Sequence, residues 1–140
     1  MNYEQFSTYI SRFNNEDAGT FDTYLAADVT VQNGRMHYSG VQGMKDHYAK
    51  IWKSMREILS VQRFVSDGET MAVELHTHFD VRKDEKDSPF GEIKKGEMFD
   101  YSGVVLYRVK DGKITDIKVS YLDFVKTALD GTQTSLGIVH

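Results

Sequence analysis

Asp100 is the first residue whose type and setting suggest chemistry. It lies in "EMFDYSGVV", where Met98, Asp100, Ser102, Val104 and Leu106 share one face of an extended segment. If that face is concave, the carboxylate sits among apolar neighbours. Desolvation then raises its pKa, as a general acid or base working at neutral pH requires. The alternatives are an exposed aspartate, or one paired with Arg63 or Arg108. Phe99, Tyr101, Val105 and Tyr107 make the opposite face nearly as apolar. The parity of this strand is therefore open. Burial of both faces would fit two copies of the chain packed through their sheets.

Other residues could complete a site around such an acid. Asn33 ends "DVTVQNG". An amide there can hydrogen-bond a ligand but cannot take a proton from carbon; the plain alternative is an Asn-Gly turn. Tyr9, Phe13, Met44, Tyr48, Trp52 and Tyr121 could line an apolar pocket, and the same spacing also suits an ordinary core. His76 and His78 are two apart on a strand, so both rings leave one face, and Glu74 or Asp80 could join them around zinc. Met71, Val73, Leu75 and Phe79 already claim the inner face. The histidine pair is thus expected on the outer face or in a dimer interface, and no metal or cofactor is expected. The chain has no cysteine, which excludes disulfides and thiol catalysis.

The elements that must position these groups can be read from periodicity. Phe6, Tyr9, Ile10 and Phe13 predict a helix over 2–14. Phe21, Tyr24 and Leu25 suggest a short second helix, "VTVQN" a strand, and "GRMHY" a turn into another extended piece. Ser39 and Gln42 fit a capping box opening a helix that runs to about Glu57, with Met44, Tyr48, Ile51 and Met55 on one face. The period then changes to two. Strands are predicted over "ILSVQRFVS", 71–81, "EMFDYSGVVLYRV" and "ITDIKVSYLDF", with turns at Asp67-Gly68 and "KDGK". Residues 82–96, which hold the only proline, Pro89, read as a solvated hairpin loop. Helices first and antiparallel strands second predict an α+β fold, with helices covering a curved sheet.

A chain of 140 residues suits one domain spanning 1–140, with 127–140 as a weakly patterned tail. Its net charge of -4, with acids and bases interspersed, argues against a nucleic-acid surface. No run of about 18 apolar residues is present, so no membrane span is expected. The first residues lack the pattern of a secretory leader, and a cytoplasmic location is the default expectation.

The stretches "YLAADVTVQNG", "YSGVQGMKDHY" and "LYRVKDGKITDIKVSYLD", in that order, resemble the NTF2-like superfamily, particularly its SnoaL-like and ketosteroid-isomerase-like members. The likeness covers roughly 3–126. It implies a cone-shaped α+β (cystatin-like) barrel with a deep, mostly apolar pocket, and frequent dimerisation. It does not imply one function. Laid over the isomerase pattern, the oxyanion tyrosine falls on Tyr9, the base on Asn33 and the oxyanion acid on or near Ser102. The base is thus lost in kind.

Two readings follow. The first is a module that binds a small apolar or aromatic molecule as a homodimer, through Tyr9, Phe13, Asn33, Met44, Tyr48, Trp52, Met98, Asp100, Ser102 and Tyr121. The second is a cofactor-free isomerase, cyclase or hydratase. There Asp100 would be the acid or base, with Tyr9 and Asn33 polarising the substrate.

Overall fold

The computed structural model describes residues 1–137. Among these residues three helices, α1 (Tyr3–Asn14), α2 (Gly19–Tyr24) and α3 (Gly40–Ser54), accompany nine strands. The strands are β1 (Leu25–Asn33), β2 (Met36–Ser39), β3 (Met55–Ser66), β4 (Thr70–Val81), β5 (Glu85–Ser88), β6 (Gly91–Ile93), β7 (Met98–Lys110), β8 (Lys113–Thr127) and β9 (Gln133–Ser135). The main sheet runs β2-β1-β8-β7-β4-β3, with β9 added to β8. Its neighbours are antiparallel except β1 and β8, which are parallel. This is the expected α+β architecture, with helices packed on a curved, mainly antiparallel sheet.

The helices start for identifiable reasons. In α1 the Asn2 side chain accepts from the Gln5 backbone at 2.8 Å, and the Gln5 side chain accepts from the Asn2 backbone at 2.9 Å. That reciprocal cap fixes the phase in which Phe6, Tyr9, Ile10 and Phe13 are buried. The capping box expected at Ser39 and Gln42 is not formed. Ser39 is extended but makes no side-chain cap, and Gln42 donates to Asp46 at 2.8 Å instead. Helix α3 also stops at Ser54, not near Glu57. Met55 is already extended, at φ -138° and ψ 143°, because it opens the ladder that pairs β3 with β4.

Strand parity decides which side chains meet the helices. In β4, Met71, Val73, Leu75, Thr77, Phe79 and Val81 are buried, while His76 and His78 face the other way. In β7 the buried set is Phe99, Gly103, Val105, Tyr107 and Val109, with Tyr101 half-buried in the same phase. Two bulges adjust this pattern. One in β8, where Ser102 pairs with Asp123 but Gly103 with Tyr121, skips Leu122. It lets Tyr121 and Phe124, three residues apart, turn toward the same side.

Residues 82–96 are not merely a solvated loop. They contain the β5–β6 hairpin, and Phe90 at its tip packs against Phe79, Phe99 and Phe124 at centroid distances of 5.0, 4.9 and 4.9 Å. The tail supplies β9, whose Ser135 pairs with Val125. Among the described residues no helix is long and apolar enough to cross a membrane.

Candidate functional site

Between the helices and the concave face of the sheet lies a cavity of about 360 Å³. Its wall comes from every layer. Tyr9 and Phe13 enter from α1, Met44, His47, Tyr48 and Ile51 from α3, and Glu57 and Leu59 from β3. Leu75, Thr77 and Phe79 come from β4, and Tyr101, Val105 and Tyr107 from β7. Asn33, Met36 and Tyr121 stand at the exposed rim, with Pro89 and Phe90 of the hairpin across one end. A mostly apolar wall with a few placed polar groups, at this volume, is the usual make-up of a small-molecule site.

Six of the residues singled out from the sequence meet here: Tyr9, Phe13, Asn33, Met44, Tyr48 and Tyr121. Four do not. Trp52 lies behind the wall, stacked on Phe21 at 6.0 Å and edge-on to Phe13 at 5.4 Å. Met98, Asp100 and Ser102 occupy the convex face of β7, because the odd-numbered residues of that strand hold the concave one. Asp100 is therefore not the pocket acid. Its Oδ1 instead meets His78 Nδ1 at 2.8 Å and His76 Nε2 at 3.0 Å, while His78 Nε2 meets Asp80 Oδ1 at 3.1 Å. Burial works against charge in this cluster, but the hydrogen bonds outweigh it. They lower the Asp100 pKa and raise that of His78. This is the reverse of the raised carboxylate expected from a concave placement.

The carboxyl group inside the cavity is Glu57, which the sequence reading left at the end of a helix. It is the third residue of β3, paired with Phe79, and its exposure is 7%. Arg56 beside it points the other way, 3.5 Å from Glu16. Among the described residues Glu57 has no hydrogen-bond or ion-pair partner, and burial alone pushes its carboxyl up to about 8. It is thus largely protonated at neutral pH. The signal was present: Met55, Glu57 and Leu59 share one period-two phase, with a carboxylate between two apolar residues.

Phenols surround this acid. Burial raises Tyr48 well above the ordinary phenol range, with the Glu57 charge adding most after it. Tyr38 is raised by burial and then by Glu57. Tyr9 is raised by burial, then by Tyr107, Tyr38 and Glu57. All three stay protonated at neutral pH; the Tyr38 hydroxyl donates to Met44 Sδ at 3.4 Å, and those of Tyr9 and Tyr48 can donate to a ligand. Tyr101 is pushed up to about 12, by burial first and then by Tyr121. Its buried hydroxyl has no hydrogen-bond partner among the described residues. That hydroxyl lies over Gly103, where a Cβ would come within 2.1 Å of it. The missing side chain at 103 is what lets the ring lie along the wall. His47 is lowered by burial and by Lys50, and so is neutral at pH 7. Among the described residues no lysine, arginine or aspartate lines the cavity.

The profile of the SnoaL-like domain matches residues 6–117, most of the chain. The chain belongs to the SnoaL-like family. No curated protein matches it. Solved structures of the same fold include a SnoaL-like polyketide cyclase from Agrobacterium tumefaciens, 17% identical over 84% of this chain and 87% of that one, with a TM-score of 0.66. An M. tuberculosis LEH-like epoxide hydrolase is 16% identical over 84% and 80%, with a TM-score of 0.67. A computationally designed 17-OHP binder is 15% identical over 94% and 95%, with a TM-score of 0.66. At these identities the likeness is one of fold.

Proposed function

We propose that this family member binds a small, largely apolar and uncharged molecule bearing a carbonyl or hydroxyl oxygen. The observation that carries this is the pairing of an aromatic cavity with one unpartnered acid, Glu57, and, among the described residues, no lysine or arginine in its wall. An anionic ligand would lose its hydration with no counter-charge to replace it, a heavy cost in a largely apolar enclosure. A neutral ligand instead finds donors. Protonated Glu57 and the phenols of Tyr9 and Tyr48 can each offer a hydrogen bond to oxygen, while the rings supply apolar area. The polyketide cyclase, the epoxide hydrolase and the 17-OHP binder support such a reading by analogy of fold.

The test compares ligands of matched shape. Thermal shifts of the purified protein are expected with 2-tetralone and 2-naphthol and not with 2-naphthoate. The positive shifts should shrink in Val119→Trp, which places a ring at the half-buried mouth of the cavity. Equal shifts with the naphthoate, or shifts indifferent to Val119→Trp, would place binding elsewhere.

A further inference from the structure

Glu57 has more to offer than a hydrogen bond. Buried carboxyls in folded proteins are normally satisfied by an arginine, a lysine or several backbone N–H groups, because an unpartnered one is costly. Glu97 shows the ordinary solution in this same chain: equally buried, it accepts from the Lys94 backbone at 2.6 Å and meets Lys126 Nζ at 3.0 Å. Glu57 has neither, although β3 and β4 are rigid, paired strands that could have carried a partner. A carboxyl held free, inside a cavity, on a rigid strand and among phenol donors is arranged as a proton-transfer group is.

Resting on the binding reading above, we propose that Glu57 is the catalytic base of a cofactor-free enolisation, moving a proton on the carbon next to the carbonyl of an uncharged ketone. In the step, the Glu57 carboxylate takes the α-proton as the C–H bond breaks. That electron pair becomes the C=C bond of the enolate, and the carbonyl oxygen takes the charge. The phenols of Tyr9 and Tyr48 donate to that oxygen, where charge develops. The Glu57 carboxyl exchanges its proton with water in the cavity and then delivers one to carbon, at the same or a conjugated position, so no co-reactant is consumed and the carbon takes up solvent hydrogen. The wall supplies the required contrast: apolar surface around the acid, donors for the oxygen, and neutral His47 as the only imidazole among the described residues.

The pH dependence follows from the groups that face Glu57. These are Tyr9 on α1, Tyr38 on β2, His47 and Tyr48 on α3, Tyr101 and Tyr107 on β7, and Tyr121 on β8; β4 contributes no titratable group to the wall. The phenols with a raised pKa titrate above Glu57 and His47 below it, so one ionisation governs the working range. With its carboxyl at about 8, only a minor fraction of Glu57 is the active carboxylate at pH 7. Activity should therefore rise tenfold per pH unit and level off near pH 8.

Deuterium uptake at C1 of 2-tetralone in D2O, measured above the buffer rate across pH 6–10, tests this. Wild type is expected to show that profile. Glu57→Gln should lose the catalysed rate by about 10² or more, the usual worth of a general base. Glu57→Asp should recover part of it with a displaced midpoint, which loss of structure alone would not produce. If 2-tetralone stabilises the protein but exchanges no faster than in buffer, or if Glu57→Gln exchanges as fast as wild type, the proposal fails and the binding reading stands. If 2-tetralone does not bind, the binding reading falls and the proposal with it.

Discussion

At the scale of single residues, burial sets the chemistry of one carboxyl. Glu57 is raised from 4.5 to about 8. The folded state therefore holds a proton that the unfolded chain releases between those values. Its stability is undiminished below pH 4.5 and falls as pH rises toward 8, with a slope of about 1.4 kcal/mol per pH unit for one group. Glu57→Gln removes that slope. Urea unfolding of the two proteins should give matching pH dependence below 4.5, and above it a growing advantage for Glu57→Gln that stops increasing near pH 8. Parallel curves across the range would mean that the carboxyl is solvated. Glu57 was obscured in the sequence because the helical phase of Met44, Tyr48, Ile51 and Met55 runs smoothly past Ser54. Sheet pairing overrode that local preference, and one misplaced boundary hid the most unusual side chain of the chain.

At the scale of elements, β7 shows where sequence reading reaches its limit. Both of its faces are apolar enough to be buried, and only its neighbours decide. Tyr101, Val105 and Tyr107 face the helices, and Asp100 joins the convex cluster. That cluster is charged when Asp100 is ionised and His78 protonated. Asp100 is lowered from 3.8, so its contribution is present above that value and lost as pH falls through its folded pKa. His78 is raised from 6.5, so its contribution is present below that value and lost as pH rises through its folded pKa. The stability cost of Asp100→Asn should thus be largest between about pH 4 and 6.5. Thermal unfolding across that window checks it; a cost independent of pH would show that the ion pair contributes nothing there. The β5–β6 hairpin makes the complementary point. Its composition reads as solvated, yet Phe90 bridges three rings at the cavity's end. Phe90→Ala should speed ligand release in stopped-flow measurements, at a stability cost below the about 3–5 kcal/mol of a fully buried phenylalanine. Unchanged release would mean that the hairpin does not gate the cavity.

At the scale of the molecule, the fold was legible because helix and sheet periods separate cleanly along the chain and the turns at Asp67-Gly68 and "KDGK" mark the hairpins. The cavity's aromatic wall was legible for the same reason, since Tyr9, Phe13 and Tyr48 sit in strong helical phase. What could not be read was the sidedness of β7, which depends on its pairings with distant strands; that of β4 was plain from its alternation. The convex face carries a further expectation. Val104 and Leu106 remain 38% and 43% exposed beside the Asp100 cluster. A second copy packed on this face would cover them. Sedimentation at micromolar concentration is expected to give a species of twice 16.0 kDa; a monomer alone would leave that face uncovered. None of this touches the central claim, that the cavity is a ligand site built around an unpaired buried acid. The carboxyl carbon of Glu57, labelled with 13C and assigned by its absence in Glu57→Gln, reports on that claim directly. Its NMR titration should have a midpoint near 8 in the free protein. Saturating 2-tetralone should shift the signal and move the midpoint higher, because the ligand replaces the water that still solvates the carboxylate. A midpoint near 4.5, or a signal indifferent to ligand, would contradict the account.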